Sequence, residues 1–267
     1  MQLFSSWTGG DFLLFYTILL GLALAASWWI PFNLRPAGRR SESLDAESLA
    51  MLAGGRQRLA ESVIADLYAR GGLAAAGGGK LTVVRSTIPA GGAGKALLAL
   101  DGNFKIGSAR KALAVAADRT AARLRRQGLI AFDDQISRIR WLSVAPFVVL
   151  FVIGVYRERA GSALGEPTGF LIALMTATAI AAVVRFASLD NRTAGGIETV
   201  NRMADKEARL RLAPRPEEAA MAVALFGTGV LVGTPWEAVH AMRQQGSGDS
   251  GSSGDGDSGG GCGGCGD

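Results

Sequence analysis

Three long apolar segments constrain this chain more than any other feature of its sequence. Residues 12–30, 141–156 and 168–184 contain no charged side chain over 19, 16 and 17 positions. An α-helix rises 1.5 Å per residue, so about 20 residues cross the roughly 30 Å hydrocarbon core of a bilayer. The second and third segments are joined by only 11 residues, which predicts a helical hairpin. The predicted fold is therefore mainly α, with three transmembrane helices.

Two other interpretations of these segments are open. Residues 12–30 could be a cleaved secretory signal, and the hairpin could be buried inside a soluble domain. No Lys or Arg precedes residue 12, whereas secretory signals begin with positive charge. Trp28 and Trp29 lie at the end of the first segment, where amphipathic rings favour the membrane interface. We therefore expect an uncleaved anchor followed by a membrane hairpin.

The distribution of Lys and Arg predicts the orientation of these helices. Residues 31–140 contain 18 of them, the hairpin loop contains two, and the chain after residue 184 contains eight. The positive-inside rule places basic loops in the cytoplasm. The prediction is a multi-pass protein of the bacterial inner membrane, with its N-terminus outside and its C-terminal tail cytoplasmic.

A shorter apolar segment, residues 219–233, bears on this topology. It spans 15 positions between Pro216 and Pro235 and contains three glycines. Because 15 residues are short for a membrane span, we expect a core or interfacial helix. If the segment did cross the membrane, the tail would lie outside.

The cytoplasmic region 44–133 has the element order of a winged helix. Residues 44–52 and 56–70 have helical patterns separated by Ala53-Gly54-Gly55, and residues 73–85 are typical of a β-hairpin. Helix, turn, helix and two-stranded wing is the order of a winged helix-turn-helix. The sequence therefore predicts a winged-helix-like α/β-hairpin domain.

DNA binding by this domain is an alternative that the residue types do not favour. The candidate recognition helix carries Arg56, Arg58 and Arg70, but it also carries Glu61 and Asp66. It lacks a set of Asn, Gln and Arg side chains that could read bases. A second predicted helix, 108–127, is more basic, which a solvated face or a lipid surface explains equally well. DNA is therefore an unlikely partner, and the lipid bilayer is the expected one.

Both cysteines of the chain, Cys262 and Cys265, lie in its last 22 residues. Residues 246–267 otherwise consist of eleven Gly, five Ser and four Asp. Such a segment cannot bury enough surface to offset the entropy of ordering it. We therefore predict a disordered tail that exposes both thiols.

The CxxC spacing of Cys262 and Cys265 admits several chemistries. Paired thiolates bind Cu or Zn, but structural zinc takes four ligands and the chain has no second pair. A thioredoxin-like pair requires a helix N-terminus after a strand, which a Gly-rich coil does not supply. His240 is expected to pack on an amphipathic helix rather than to bind metal. Covalent modification needs only accessible thiols, so modification of both cysteines is the leading hypothesis.

Catalysis and a resident cofactor are not predicted. The chain has one histidine, and residues 77–80 lack the spacing of a phosphate-binding P-loop. The chain is accordingly expected not to be an enzyme, with no catalytic residues.

Several short stretches are similar to a known family. They are residues 52–73, the apolar hairpin, 192–197, 222–227 and the GGGCGGCG ending. Together they cover nearly the whole chain, which resembles a family of uncharacterised bacterial membrane proteins with a Gly/Cys-rich C-terminal tail. The resemblance implies a ribosomally made substrate whose cysteines are modified by a multinuclear iron enzyme. Relatives with longer Cys-rich tails suggest metal storage, which the two cysteines here do not favour.

These interpretations divide the chain into six regions. They are an anchor (1–30), a linker (31–43), the winged-helix-like domain (44–133), the transmembrane hairpin (134–188), a helical region (189–245) and the tail (246–267). The leading hypothesis is a membrane-anchored substrate of a cysteine-modifying enzyme. The alternatives are a thiol- or metal-binding membrane protein and a membrane-tethered winged-helix regulator.

Overall fold

The computed structural model describes residues 9–163 and 169–248, which form two units. The first unit contains residues up to 36 and residues 132–191, and the second contains residues 37–131 and 192–248. The predicted tail sites Cys262 and Cys265 lie outside the described residues. The first unit consists of α1 (Gly9–Leu34), α6 (Asp133–Ala163) and α7 (Gly169–Ala187).

The second unit contains seven helices of the described chain and a small sheet. The helices are α2 (Ala46–Ala69), α3 (Gly92–Leu98), α4 (Ile106–Ala112), α5 (Ala114–Arg126), α8 (Ala194–Lys206), α9 (Ala219–Phe226) and α10 (Glu237–Gly248). The strands are β1 (Leu73–Ala75), β2 (Lys80–Val83) and β3 (Asn103–Lys105). Short 3-10 helices occupy Ala208–Arg211, Pro216–Glu218 and Thr228–Leu231. The predicted regions 44–133 and 189–245 thus both contribute to this unit.

The three predicted membrane segments all form helices. Each of α1, α6 and α7 is long and apolar enough to cross a membrane. Within their most apolar windows, at most 28% of the residues are buried in the protein. Exposed apolar surface on this scale is costly in water and is typical of helices that face lipid. The prediction of three membrane-length helices is therefore confirmed.

Helix α6 packs against both α1 and α7 in the first unit. The buried core contains Phe12 and Tyr16 of α1 and Phe147 of α6. The Tyr16 hydroxyl lies 3.2 Å from Thr178 Oγ1 of α7, which gives both buried hydroxyls a hydrogen-bond partner. An added Cβ at Gly154 would lie 2.8 Å from Met175 Cγ. The small residue thus lets α6 approach α7 closely, as is common between membrane helices.

Helix α2 is interrupted where the sequence predicted a turn. Gly54 and Gly55 have non-helical backbone angles, and Gly55 has a φ of 64°, which glycine adopts without steric penalty. The helix begins after Asp45, whose side chain accepts a hydrogen bond from the Ser48 backbone N–H at 3.3 Å. The predicted start at residue 44 is therefore two residues early, and the predicted central break is confirmed.

The predicted hairpin is confirmed, and a third strand extends it. Strand β1 pairs antiparallel with β2, and β2 pairs antiparallel with β3, with Leu81 opposite Phe104. Leu81 and Phe104 are both buried in the core of the second unit. Strand β3 has only three residues, too few for an alternating pattern to reveal it in the sequence.

The structure changes one helical prediction and confirms another. The single helix expected over 108–127 is divided into α4 and α5 at Leu113, whose side chain is buried. The apolar segment 219–233 is not among the candidate membrane helices of the described residues. It forms α9 and a 3-10 helix, and Ala222, Val223 and Ala224 are completely buried. The interpretation as a core segment is confirmed.

The first turn of helix α8 contains two glycines that contact neighbouring backbone. The Thr193 side chain accepts a hydrogen bond from the Gly196 N–H at 3.0 Å, and the Gly195 N–H donates to the Ala37 carbonyl at 2.7 Å. A Cβ on Gly196 would lie 2.2 Å from the Leu129 carbonyl oxygen. No side chain larger than hydrogen fits there without moving the backbone.

We predict that Gly196→Ala destabilises the second unit. Forcing a methyl group into this contact is expected to cost about 1–3 kcal/mol, which lowers the melting temperature by roughly 2–4 °C per kcal/mol. Thermal unfolding of the detergent-solubilised protein measures this effect. Gly107→Ala in α4 is the matched control, because an added Cβ there meets no atom within 4 Å. Equal melting temperatures for the two variants would contradict the prediction.

Candidate functional site

The last described helix, α10, connects the second unit to the cysteine-containing tail. It ends at Gly248, and Cys262 follows 14 residues later. An extended chain spans at most about 3.6 Å per residue, so Cys262 can lie no farther than roughly 50 Å from the end of α10. The position of α10 therefore limits how far from the second unit the two thiols can lie.

Apolar side chains seat α10 against the second unit. Val239 and Met242 are 1% and 5% exposed, and both belong to the main core. The helix packs against the 3-10 helix Thr228–Leu231 and against α2. Burial of two large side chains contributes about 1.5–3 kcal/mol each. Most of the attachment of α10 is thus hydrophobic.

A buried carboxylate on α2 forms the polar part of this attachment. Glu61 is only 2% exposed, and its Oε1 lies 3.0 Å from Arg243 Nε of α10. Gln57 Nε2 donates to the same oxygen at 3.0 Å, and Arg58 Nε lies 3.8 Å from Oε2. Removing a carboxylate from water is costly unless cations and hydrogen bonds compensate it. Two arginines and one amide perform that role here.

A second set of polar contacts surrounds His240 on the same helix. Its Nδ1 lies 3.0 Å from Oγ1 of Thr228, which is fully buried, and its Nε2 lies 3.0 Å from Gln244 Nε2. Arg243 Nη1 also donates to Thr228 Oγ1, at 3.4 Å. Both ring nitrogens of His240 are engaged in helix packing, in agreement with its predicted structural role.

Gly227 positions Thr228 and Arg58 for these contacts. Its φ of 84° ends α9 and starts the 3-10 helix that carries Thr228. An added Cβ would lie 3.2 Å from Arg58 Nη1. That same nitrogen donates to the Val223 carbonyl at 3.2 Å. The backbone angle at position 227 and the nearby guanidinium of Arg58 therefore both disfavour any residue other than glycine there.

The tip of the β-hairpin lies beside the last turn of α10. Gly77, Gly78 and Gly79 all have positive φ, which forms the tight turn between β1 and β2. A Cβ on Gly79 would lie 2.8 Å from Gln245 Oε1. The last turn of α10 thus lies next to the hairpin turn.

The start of α9 is fixed by an exposed ion pair. Glu218 accepts a hydrogen bond from the Arg215 backbone N–H at 3.0 Å and pairs with the Arg209 guanidinium. The Arg209 hydrogen bond, supported by that of Arg215, lowers the pKa of Glu218. Because the folded pKa is lowered, this contact stabilises the fold above the ordinary pKa of Glu and is lost as the pH falls.

The arginines of the candidate recognition helix all have partners within the protein. Arg56 pairs with Asp118 at 2.6 Å, and Arg70 pairs with Asp66. Arg58 contacts Glu61, as described above. The second half of α2 is buried on nearly all sides, including Leu59 and Ile64. A helix in the centre of a core does not offer the free face that base readout in a groove requires.

The predicted and observed sites differ in one respect. The sequence pointed to the two tail cysteines, whereas the Glu61 and Arg243 contact was not predicted. Residues 59–67 include Glu61, Ser62 and Asp66 on one side of the helix, so no local pattern indicates that this helix is buried on nearly all sides. Among the described residues, no group of three or more His, Cys, Asp or Glu side chains is placed to hold a metal ion.

Comparisons of the chain with protein-family models, with curated proteins and with solved structures found no match.

We predict that Glu61→Gln destabilises the second unit and loosens α10. The amide retains the shape of Glu61 but removes the charge that compensates Arg243 and Arg58. Breaking a buried pair costs 3–5 kcal/mol, and the 40% exposed Arg243 side chain reduces this to about 2–3 kcal/mol. We expect a lower melting temperature and faster release of residues 244–267 by trypsin cleavage after Arg243.

Glu198→Gln is the matched control for this experiment. Glu198 pairs with Arg40 at 2.7 Å, but its side chain is 45% exposed. Exposed ion pairs contribute about 0–1 kcal/mol. Similar melting temperatures and trypsin cleavage rates for the two variants would contradict a special role for the buried carboxylate.

Proposed function

We propose that this protein is a membrane-anchored, non-enzymatic substrate that presents Cys262 and Cys265 to a cysteine-modifying enzyme. The observation that carries the proposal is the buried attachment of α10, directly before the segment that holds both thiols. The three membrane-length helices supply the anchor. The second unit supplies a folded surface at a bounded distance from the cysteines.

The resemblance described above supports an iron enzyme as the partner. Thiols exposed on a Gly/Ser/Asp-rich tail satisfy the main requirement of such an enzyme, which is access to the sulfur atoms. The proposed orientation places the N-terminus outside the bacterial inner membrane and the tail in the cytoplasm. In that reducing compartment, the cysteines remain thiols until an enzyme modifies them.

The folded unit has a docking role in this proposal. In the proposal, the predicted winged-helix-like order of α2, β1 and β2 forms the docking surface, and the hairpin turn lies beside the end of α10. A modifying enzyme that contacts this edge holds the tail near its active site, which raises the effective concentration of the thiols. The order of elements therefore serves a protein partner in this proposal rather than DNA.

We predict a mass increase that maps to the tail of the native protein. The full chain, purified from its source cells, is cleaved with trypsin, and the peptide that follows Arg243 is analysed by mass spectrometry. The shift should be lost in the double variant Cys262→Ser/Cys265→Ser and retained in the control Ser253→Ala. An unmodified tail that holds stoichiometric Cu or Zn would instead support the metal-binding alternative. An unmodified tail without metal would contradict both.

Two further measurements separate the parts of this proposal. The extent of modification should fall in Glu61→Gln and remain unchanged in Glu198→Gln, because only the first loosens the unit that carries the tail. Equal modification of the two variants would show that the enzyme recognises the tail without the folded unit.

A maleimide reagent that cannot cross the membrane should label Cys262 only after the cells are opened. Labelling of Cys262 in intact cells would contradict the cytoplasmic orientation.

A further inference from the structure

The three-helix unit contains an apolar cleft between its helices. The cleft has a volume of about 430 Å³ and is lined by residues of α1, α6 and α7. Leu24 and Trp28 of α1 form one wall, Ile180 and Val184 of α7 form the other, and Phe147 of α6 lies at the cleft as well. Trp28, Ile180 and Val184 are 76%, 60% and 59% exposed, so the cleft opens to the surroundings of the helices.

An arginine lies among these apolar residues. Arg185 Nε donates to Ser27 Oγ at 2.8 Å and to the Ser27 carbonyl at 3.1 Å, and Nη2 donates to that carbonyl at 2.9 Å. Both residues line the cleft. These bonds orient the guanidinium but neutralise no charge. Within residues 9–163 and 169–248, no Asp or Glu forms an ion pair with Arg185.

Two further arginines increase the positive charge at this end of the helices. Arg140 of α6 lies over the ring of Phe186, 5.0 Å from its centroid, and Phe186 directly follows Arg185. The Nε of Arg140 is buried and has no hydrogen-bond partner. Arg35, just after α1, lies close enough to Arg185 for their charges to repel. The described residues thus gather like charges beside an apolar cleft without a compensating carboxylate.

We propose that this cleft binds an anionic phospholipid. The phosphate lies at Arg185, and one acyl chain follows Leu24, Ile180 and Val184 along the cleft. A guanidinium donates two parallel hydrogen bonds to a phosphate, which is a stronger contact than that with a neutral headgroup. The apolar walls belong to helices of membrane length, so the ligand that reaches them is amphiphilic.

A simpler interpretation is that Arg185 extends to the headgroups of the surrounding bilayer without binding any single lipid. The contacts to Ser27 argue against this, because they hold the guanidinium against α1 at the cleft. A soluble anion such as inorganic phosphate would use the arginines but gain nothing from the apolar walls. The two interpretations therefore differ from the proposal in measurable ways.

Native mass spectrometry of the full chain in detergent tests the proposal. Phosphatidylglycerol should remain bound at lower concentrations than phosphatidylcholine with identical acyl chains. Arg185→Gln should weaken retention of phosphatidylglycerol about fivefold, which corresponds to one basic contact near the membrane surface. Ala177→Phe should also reduce retention, because Ala177 lines the cleft and a phenyl ring fills it.

Matched controls distinguish this site from general charge and apolar effects. Arg159→Gln removes an exposed arginine near the other end of α6, and Ala179→Phe adds a ring at an exposed position of α7 outside the cleft. Both control variants should retain phosphatidylglycerol as the unaltered chain does. The melting temperature of all four variants is measured as a check on folding. For any variant with a lower melting temperature, lipid retention is measured at a lower temperature. Equal retention of the two lipids, or equal losses in Arg185→Gln and Arg159→Gln, would overturn the proposal. Displacement of the lipid by millimolar inorganic phosphate would overturn it in favour of a soluble anion.

Discussion

The burial of α2 on nearly all sides is the constraint on which the second unit depends. Its second half carries Leu59, Val63 and Ile64 into the core, with α9 packed along it. A helix in this position must also satisfy its polar side chains without water. One carboxylate oxygen of Glu61 pairs with Arg243, and the Ser62 hydroxyl donates to the Ala220 carbonyl at 2.8 Å. Segments far apart in the sequence are thereby joined around one helix.

The two units expose different kinds of surface. The helices of the first unit leave most of their apolar residues exposed and bury a small core around Tyr16 and Phe147. The second unit buries its apolar residues and exposes ion pairs such as that of Arg56 and Asp118. A chain that anchors in lipid and presents its C-terminal segment to an enzyme needs both kinds of surface. The proposed lipid contact and the proposed tail modification therefore concern separate parts of the molecule.

The accuracy of the sequence predictions depended on the range of the interactions involved. The membrane-length helices, the break at Gly54 and Gly55 and the hairpin of β1 and β2 arise from local composition and glycine backbone freedom, and they were predicted. Strand β3 and the division at Leu113 were not, because they depend on pairing with β2 and on packing into the core. Glu61 was recognised only as an unfavourable charge for DNA binding. Its partner Arg243 is more than 180 residues away, beyond any local pattern.

The amino-acid sequence alone establishes which segments are too apolar for water and that both cysteines lie in the Gly/Ser/Asp-rich residues 246–267. These properties belong to composition, and no packing arrangement changes them. The position of residues 219–233 in the core follows from tertiary packing, because α2 covers their apolar surface. Tertiary packing also brings Arg58 of α2 to a buried carboxylate and Arg185 to an apolar cleft. Those outcomes depend on which distant side chains meet, since the energy of a charge or an apolar face is set by its neighbours.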